Sequence, residues 1–303
     1  MLLPRSLSHN YATNELAAIG RFFSAAVVRE MGRWGRSPLL ARLAKESSLP
    51  SLLDQTQPIR RLFDVAFSIL RQSRFRDEYV YKAALTHKIL LSRHSLRTAV
   101  MLTEFRVGSN KADVVILNGT STVYEIKSER DSLKRLQGQV TAYRDMFANV
   151  NVICGENHLD SVLNGTTADI GVLVLADDFR ITTIREALNT PGRINPVTIF
   201  ESLQLCEAKE TLKQLGLTPA CVPNTQLHRA LREQFEGLDP TAVHSAMVRI
   251  LRRTRTLLPL DQLLQDLPSS LRAAACSTTL RKGEPARLLQ AIETPLHQAL
   301  AWG

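Results

Sequence analysis

Cysteine is scarce and scattered. Cys154, Cys206, Cys221 and Cys276 are the four in 303 residues, and no C-x-x-C pair occurs. That excludes a disulfide-stapled small domain and a cysteine-based zinc module, and it fits a reducing cytoplasm. No two histidines stand at metal-ligand spacing on one helix. His87, His94, His158 and His244 read as ordinary buried or solvated side chains. No apolar run reaches 18 residues, so no membrane span is expected. The early run LAAIGRFFSAAVV is interrupted by Arg21 and lacks a preceding basic region, so it reads as an amphipathic helix and not a signal peptide. Internal repeats, low-complexity tracts, a helix-turn-helix and a zinc finger are all missing.

What is present is a globular composition. Hydrophobic residues make up 44% and charged residues 22%, which excludes disorder, and the length suggests about two domains. The net charge of +9 favours polyanionic partners and is unevenly spread. Residues 1–98 carry +9, residues 99–210 carry −4, and residues 211–303 carry +4. An acidic middle thus lies between basic flanks.

Apolar periodicity predicts helices over 12–45 and 57–92, with Pro50 and Pro58 breaking the segment between them. Near residue 98 the pattern changes. TAVMLTEFRV is β-rich, and ADVVILNGTSTVYEIKS reads as two strands around Asn118–Gly119, a hairpin signal. Ser128 and Asp131 have capping-box spacing, so a helix is expected to begin there, with Leu133, Leu136, Val140, Tyr143 and Phe147 as its buried stripe. VNVIC and IGVLVLA read as buried parallel strands, FRITTIRE as an edge strand, and the chain from about 225 onward as helical. The expected fold class is α/β, a mixed-sheet core at 96–210 between a helical N-terminal region, 1–95, and a helical C-terminal region, 211–303.

The stretch YEIKSERDSL concentrates the chemistry. Glu125 and Lys127 are two apart on a strand and share a face. A hairpin loop of Asn118, Gly119 and Thr120 puts Asp113 opposite Glu125, with Cβ atoms roughly 5 Å apart. Like charges so placed destabilise a sheet unless neutralised. Lys127 is one neutraliser and a divalent cation the stronger one. Mg²⁺ suits one or two carboxylates plus waters and phosphate oxygens. The candidate metal ligands are therefore Asp113, Glu125, the Ile126 carbonyl and a third carboxylate, preferably Glu104 and alternatively Glu78. A metal so held polarises a phosphate and acidifies bound water, and Lys127 stabilises the developing charge.

These residues resemble the signature of the PD-(D/E)xK nuclease superfamily, whose fold is that of restriction endonucleases. AD(113), then eleven residues, then E(125)-I-K(127) matches the strand motif. Gln139 and Tyr143 match the Q-x-x-x-Y helix of the RecB-like branch. The stretch from about 100 to 178 further resembles an uncharacterised bacterial family of that superfamily, through Glu104, Asp113, Tyr124 to Ser128, Asp131, Leu133, Arg135, Leu136, Gln139, Tyr143 and Phe147. Ala112 stands where the motif name has Pro, and Lys111 where that family more often has Arg. The resemblance implies a restriction-endonuclease-like core and a nuclease dependent on Mg²⁺ or Mn²⁺, with Asp113, Glu125, Lys127, Gln139 and Tyr143 in the catalytic site. It implies DNA as substrate more than RNA, and it makes a homodimer, or a protein partner on the helical flanks, part of the expectation. Arg135, one turn before Gln139, and Arg252 and Arg253 in the arginine-rich RILRRTRT are the candidate phosphate contacts. The contrasting expectation is a catalytically silent module of the same fold that binds nucleic acid or protein.

Overall fold

A computed structural model describes residues 11–302, which form two compact units. The first comprises residues 11–87, Asp177–Phe179 and 259–302 and is built from helices. Short caps start them. Ser24 accepts from Val27 N, Ser37 from Leu40 N ahead of Pro38, and Asp77 from Val80 N. Their apolar stripes converge on Phe22, Phe63, Leu43 and Met31, all fully buried.

The second unit, 88–176 and 180–258, holds one mixed sheet of six strands in sequence order. These are β1 (Val100–Val107), β2 (Asn110–Leu117), β3 (Ser121–Lys127), β4 (Asn149–Cys154), β5 (Gly171–Leu175) and β6 (Ile181–Arg185). β1 to β3 form an antiparallel meander, β4 and β5 join in parallel, and β6 closes the sheet antiparallel at the edge. The parallel steps need crossovers, supplied by helices Leu136–Arg144 and Leu159–Gly165. The architecture is thus α/β, a mixed sheet with flanking helices. The hairpin loop is Asn118–Gly119–Thr120 as expected, and Leu117 pairs with Ser121 on either side of it.

Three features depart from the sequence reading. The packing units do not follow the three-part division. Helices Asn224–Glu236 and Pro240–Thr254 bury Leu231, Phe235, Val243, Met247 and Leu251 in the core that also contains Val115, Leu117 and Val123 of the sheet. Only 259–302 joins the N-terminal helices. An amphipathic helix must bury its apolar stripe, but its sequence does not say on what. Second, Ser128 and Asp131 close a turn of their own. The Ser128 amide and hydroxyl both donate to Asp131 Oδ2 at 2.8 Å. The helix starts later, through a 3-10 turn at Leu133–Arg135 that Ser132 caps.

The third departure lies in the strands. Val100 and Leu102 pack on the core, but so do Phe105 and Val107, so β1 changes the face it turns to this core at Glu104. β2 does the same, with Ala112 and then Val115 and Leu117. The residues at the change are Glu104 and Asp113, which lie between the Thr103–Val114 and Phe105–Ala112 pairs. Glu104 has φ +53°, a left-handed conformation that non-glycine residues avoid.

His244 illustrates what the C-terminal helices bring to the sheet. Its Nε2 lies 2.9 Å from the Ser121 hydroxyl, which accepts from the Ala148 amide at 3.0 Å. Ser121 and His244 thus form a buried hydrogen-bonded pair beneath helix Pro240–Thr254. Burial pulls the His244 pKa down to about 4. Folded, His244 holds fewer protons than the unfolded chain between about pH 6.5 and 4, so its contribution is intact above that window and is lost as pH falls through it. His244→Gln should remove up to about 1.4 kcal/mol per pH unit from the slope of stability against pH there, read by urea unfolding of both proteins.

Candidate active site

The site gathers at the C-terminal end of β3, where the meander meets helix Leu136–Arg144. Glu125 and Lys127 face this helix and are almost completely buried, at 1% and 5% exposure. Lys127 Nζ lies 2.8 Å from Glu125 Oε1 and donates to Gln139 Oε1 at 3.0 Å. The Tyr143 hydroxyl, one helical turn after Gln139, shares its one proton between Glu125 Oε2, at 2.8 Å, and the Lys111 carbonyl, at 2.9 Å. Burial, then the negative charge of Glu125, pushes the Tyr143 hydroxyl well above its ordinary range, so it remains a donor. Each carboxylate oxygen of Glu125 thus has a partner, one from its own strand and one from the helix.

Asp113 is half-buried, and its Oδ2 accepts from the Ile126 amide at 2.7 Å. This bond ties β2 to β3 just past their last ladder pair, Val114 with Tyr124. Extended by one step, that register opposes Asp113 to Glu125. Ile126, expected to offer its carbonyl, meets Asp113 through its amide. Carboxylate oxygens of Glu104 and Asp113 approach within 4.8 Å, with Glu104 exposed to solvent. The left-handed turn at Glu104 is part of how its side chain reaches Asp113. A strained backbone beside functional side chains is a frequent arrangement. Glu104→Gly should therefore leave stability within about 0.5 kcal/mol of the original. Arg106→Gly, at an ordinary strand position, should cost about 1 kcal/mol. Urea unfolding compares the two.

Hard oxygen donors suit a divalent cation. Glu104 and Asp113 bring carboxylate oxygens within reach of one ion, and Glu125 is the further carboxylate expected there. Glu125 can still take part, because an ionised carboxylate offers about four acceptor positions and the protein uses two. Glu78, the alternative third carboxylate, begins helix Glu78–Leu85 in the other unit.

The arginines expected to meet phosphate divide into two groups. Arg135 is exposed in the turn ahead of the helix that carries Gln139. Arg252 and Arg253 make contacts within the protein. Arg253 Nη2 pairs with Glu210 Oε1 at 3.0 Å, and Arg252 Nη2 reaches the Arg97 carbonyl at 3.4 Å. Their neighbour Arg255 binds Glu207, which is buried, at 2.7 Å. The arginine-rich stretch braces helix Pro240–Thr254 against helix Leu205–Gln214.

A family model described as bacteriophage P4 protein cII matches residues 71–256. The chain belongs to this family. The matched region contains all six strands and every residue of the Glu125 network. Protein cII of Enterobacteria phage P4 is a relative, 30% identical over 146 residues, which is 46% of this chain and 53% of the relative. The chain thus spans about half the length of the curated cII protein it matches. No solved structure matches it. No helix among the described residues is long and apolar enough to cross a membrane.

Proposed function

We propose that this cII-family protein is a metal-dependent nuclease that hydrolyses phosphodiester bonds of DNA with Mg²⁺ or Mn²⁺. The observation that carries the reading is the joining of Glu125, Lys127, Gln139 and Tyr143 through hydrogen bonds of 2.8–3.0 Å, with Asp113 bound to the neighbouring Ile126 amide at 2.7 Å. A bound divalent cation would supply Lewis-acid activation of the phosphate and a more acidic water. Asp113, Glu125 and Glu104 would hold it. Tyr143 and Lys127 orient the Glu125 carboxylate. Two of Lys127's three protons go to Glu125 and Gln139, so a third can meet the charge that develops on the phosphate. Gln139 orients the ammonium. The Tyr143 bond to the Lys111 carbonyl holds β2 at the distance this geometry needs. The test is direct. The purified chain should nick or degrade plasmid DNA with Mg²⁺ or Mn²⁺ and leave it intact in EDTA, with RNA assayed in parallel. Intact DNA in every metal overturns the proposal.

One observation favours a second reading, a silent module that binds without turnover. Both oxygens of Glu125 are satisfied by the protein itself, so the network is complete without a cation. Calorimetric titration with Mn²⁺ separates the readings. The nuclease binds the ion, and Asp113→Ala loses it. The silent module shows no heat at this site in either protein.

A further inference from the structure

The hairpin that carries Glu104 and Asp113 ends in two cations. Arg106 and Lys111 are paired directly across β1 and β2, and both are exposed. Like charges directly opposite one another weaken a sheet. Here the face change at Glu104 forces that placement. Phe105, Val107 and Ala112 turn into the core, which sends Arg106 and Lys111 outward. The Arg106 side chain is held near the backbone, its Nε donating to the Gly108 carbonyl at 3.2 Å. The Lys111 backbone is held by Tyr143, the residue that also binds Glu125. The pair lies two strand residues from the Glu104 and Asp113 pair, about 7 Å along the hairpin. That step is roughly two nucleotides along a duplex axis.

We propose that Arg106 and Lys111 form a phosphate-binding pair that holds the DNA backbone next to the carboxylate site. This rests on the reading of Asp113 and Glu125 as the reaction centre. An anion lying between the two cations relieves their repulsion, and the planar guanidinium offers a paired contact to phosphate oxygens. The role is positioning, since neither side chain belongs to the Glu125 network.

The experiment measures binding without turnover. A fluorescein-labelled 20-base-pair DNA duplex is titrated with the full chain in EDTA, by anisotropy, over a series of NaCl concentrations. Each lost phosphate contact lowers the slope of log K against log salt by about 0.9. The Arg106→Ala, Lys111→Ala double variant should therefore lose about 1.8 from the slope. Lys111→Arg should keep it, and Arg42→Ala, in the helical unit, should match the original protein. Thermal melting confirms that each variant is folded. An unchanged slope in the folded double variant overturns the phosphate pair, and so does an original protein with no salt-dependent DNA binding. Cleavage assays fail separately. A slope that falls in a protein that never cuts DNA keeps the pair and removes the nuclease. Cutting with an unchanged slope does the reverse.

Discussion

Asp113→Ala is expected to lower metal-dependent DNA cleavage by about a hundredfold to a thousandfold while the protein stays folded, the loss typical for removing one transition-state contact. Asp113 is the residue whose removal separates chemistry from folding. It is only half-buried, and its hydrogen bond from the Ile126 amide, at 2.7 Å, lies at the end of the β2–β3 ladder. Losing that bond costs about 1 kcal/mol. Losing the carboxylate removes the side chain that links exposed Glu104 to buried Glu125 in any cation site. Asp113→Asn sharpens the test. It can still accept from Ile126 but carries no charge, so it should fold normally and remain as inactive as the alanine variant. Plasmid nicking in Mg²⁺ and Mn²⁺, with circular dichroism on the same samples, reads both quantities. Near-normal cleavage by the two folded variants would remove Asp113 from the mechanism and the nuclease reading with it.

Lys127→Ala should be far more costly to the fold, about 3–5 kcal/mol. Lys127 is 5% exposed and Glu125 1%, so the variant strands a carboxylate in a nearly dry site. Tyr143 alone is then left to hold it. A buried carboxylate without its cation either pays full desolvation or takes up a proton. The double change Lys127→Met, Glu125→Leu should recover much of the loss, because an apolar pair of similar size replaces a buried ion pair at little cost. Urea unfolding of the single and double variants tests this. Additive losses would show that the two side chains do not act as a pair. The expectation also limits what an inactive Lys127→Ala protein can prove, which is why Asp113 carries the functional test.

Much of this site is legible in local pattern. Asn118–Gly119 between two alternating runs set the hairpin register, and Asp113 meets the Ile126 amide next to Glu125 in the chain. The 3-4 spacing of Leu136, Val140 and Tyr143 set the helix face, so Gln139 and Tyr143 follow one turn apart. VNVIC and IGVLVLA announced parallel strands by lacking a polar face. In each case the governing interaction runs between residues close in the chain, and the side-chain period carries it. The tertiary structure decided what depends on distant partners. Each oxygen of Glu125 has a partner only because Tyr143 arrives from the helix. His244 is dehydrated only because helix Pro240–Thr254 lies over Ser121. Arg252 and Arg253 look like free cations in sequence and are tied to the Arg97 carbonyl and Glu210. The face change at Glu104 has no signature in an alternating pattern, because it takes a left-handed residue and a matched shift in the neighbouring strand. Local periodicity specifies which face of an element is apolar. Which surface covers that face, and which polar groups are trapped beneath it, is settled by packing across the whole chain.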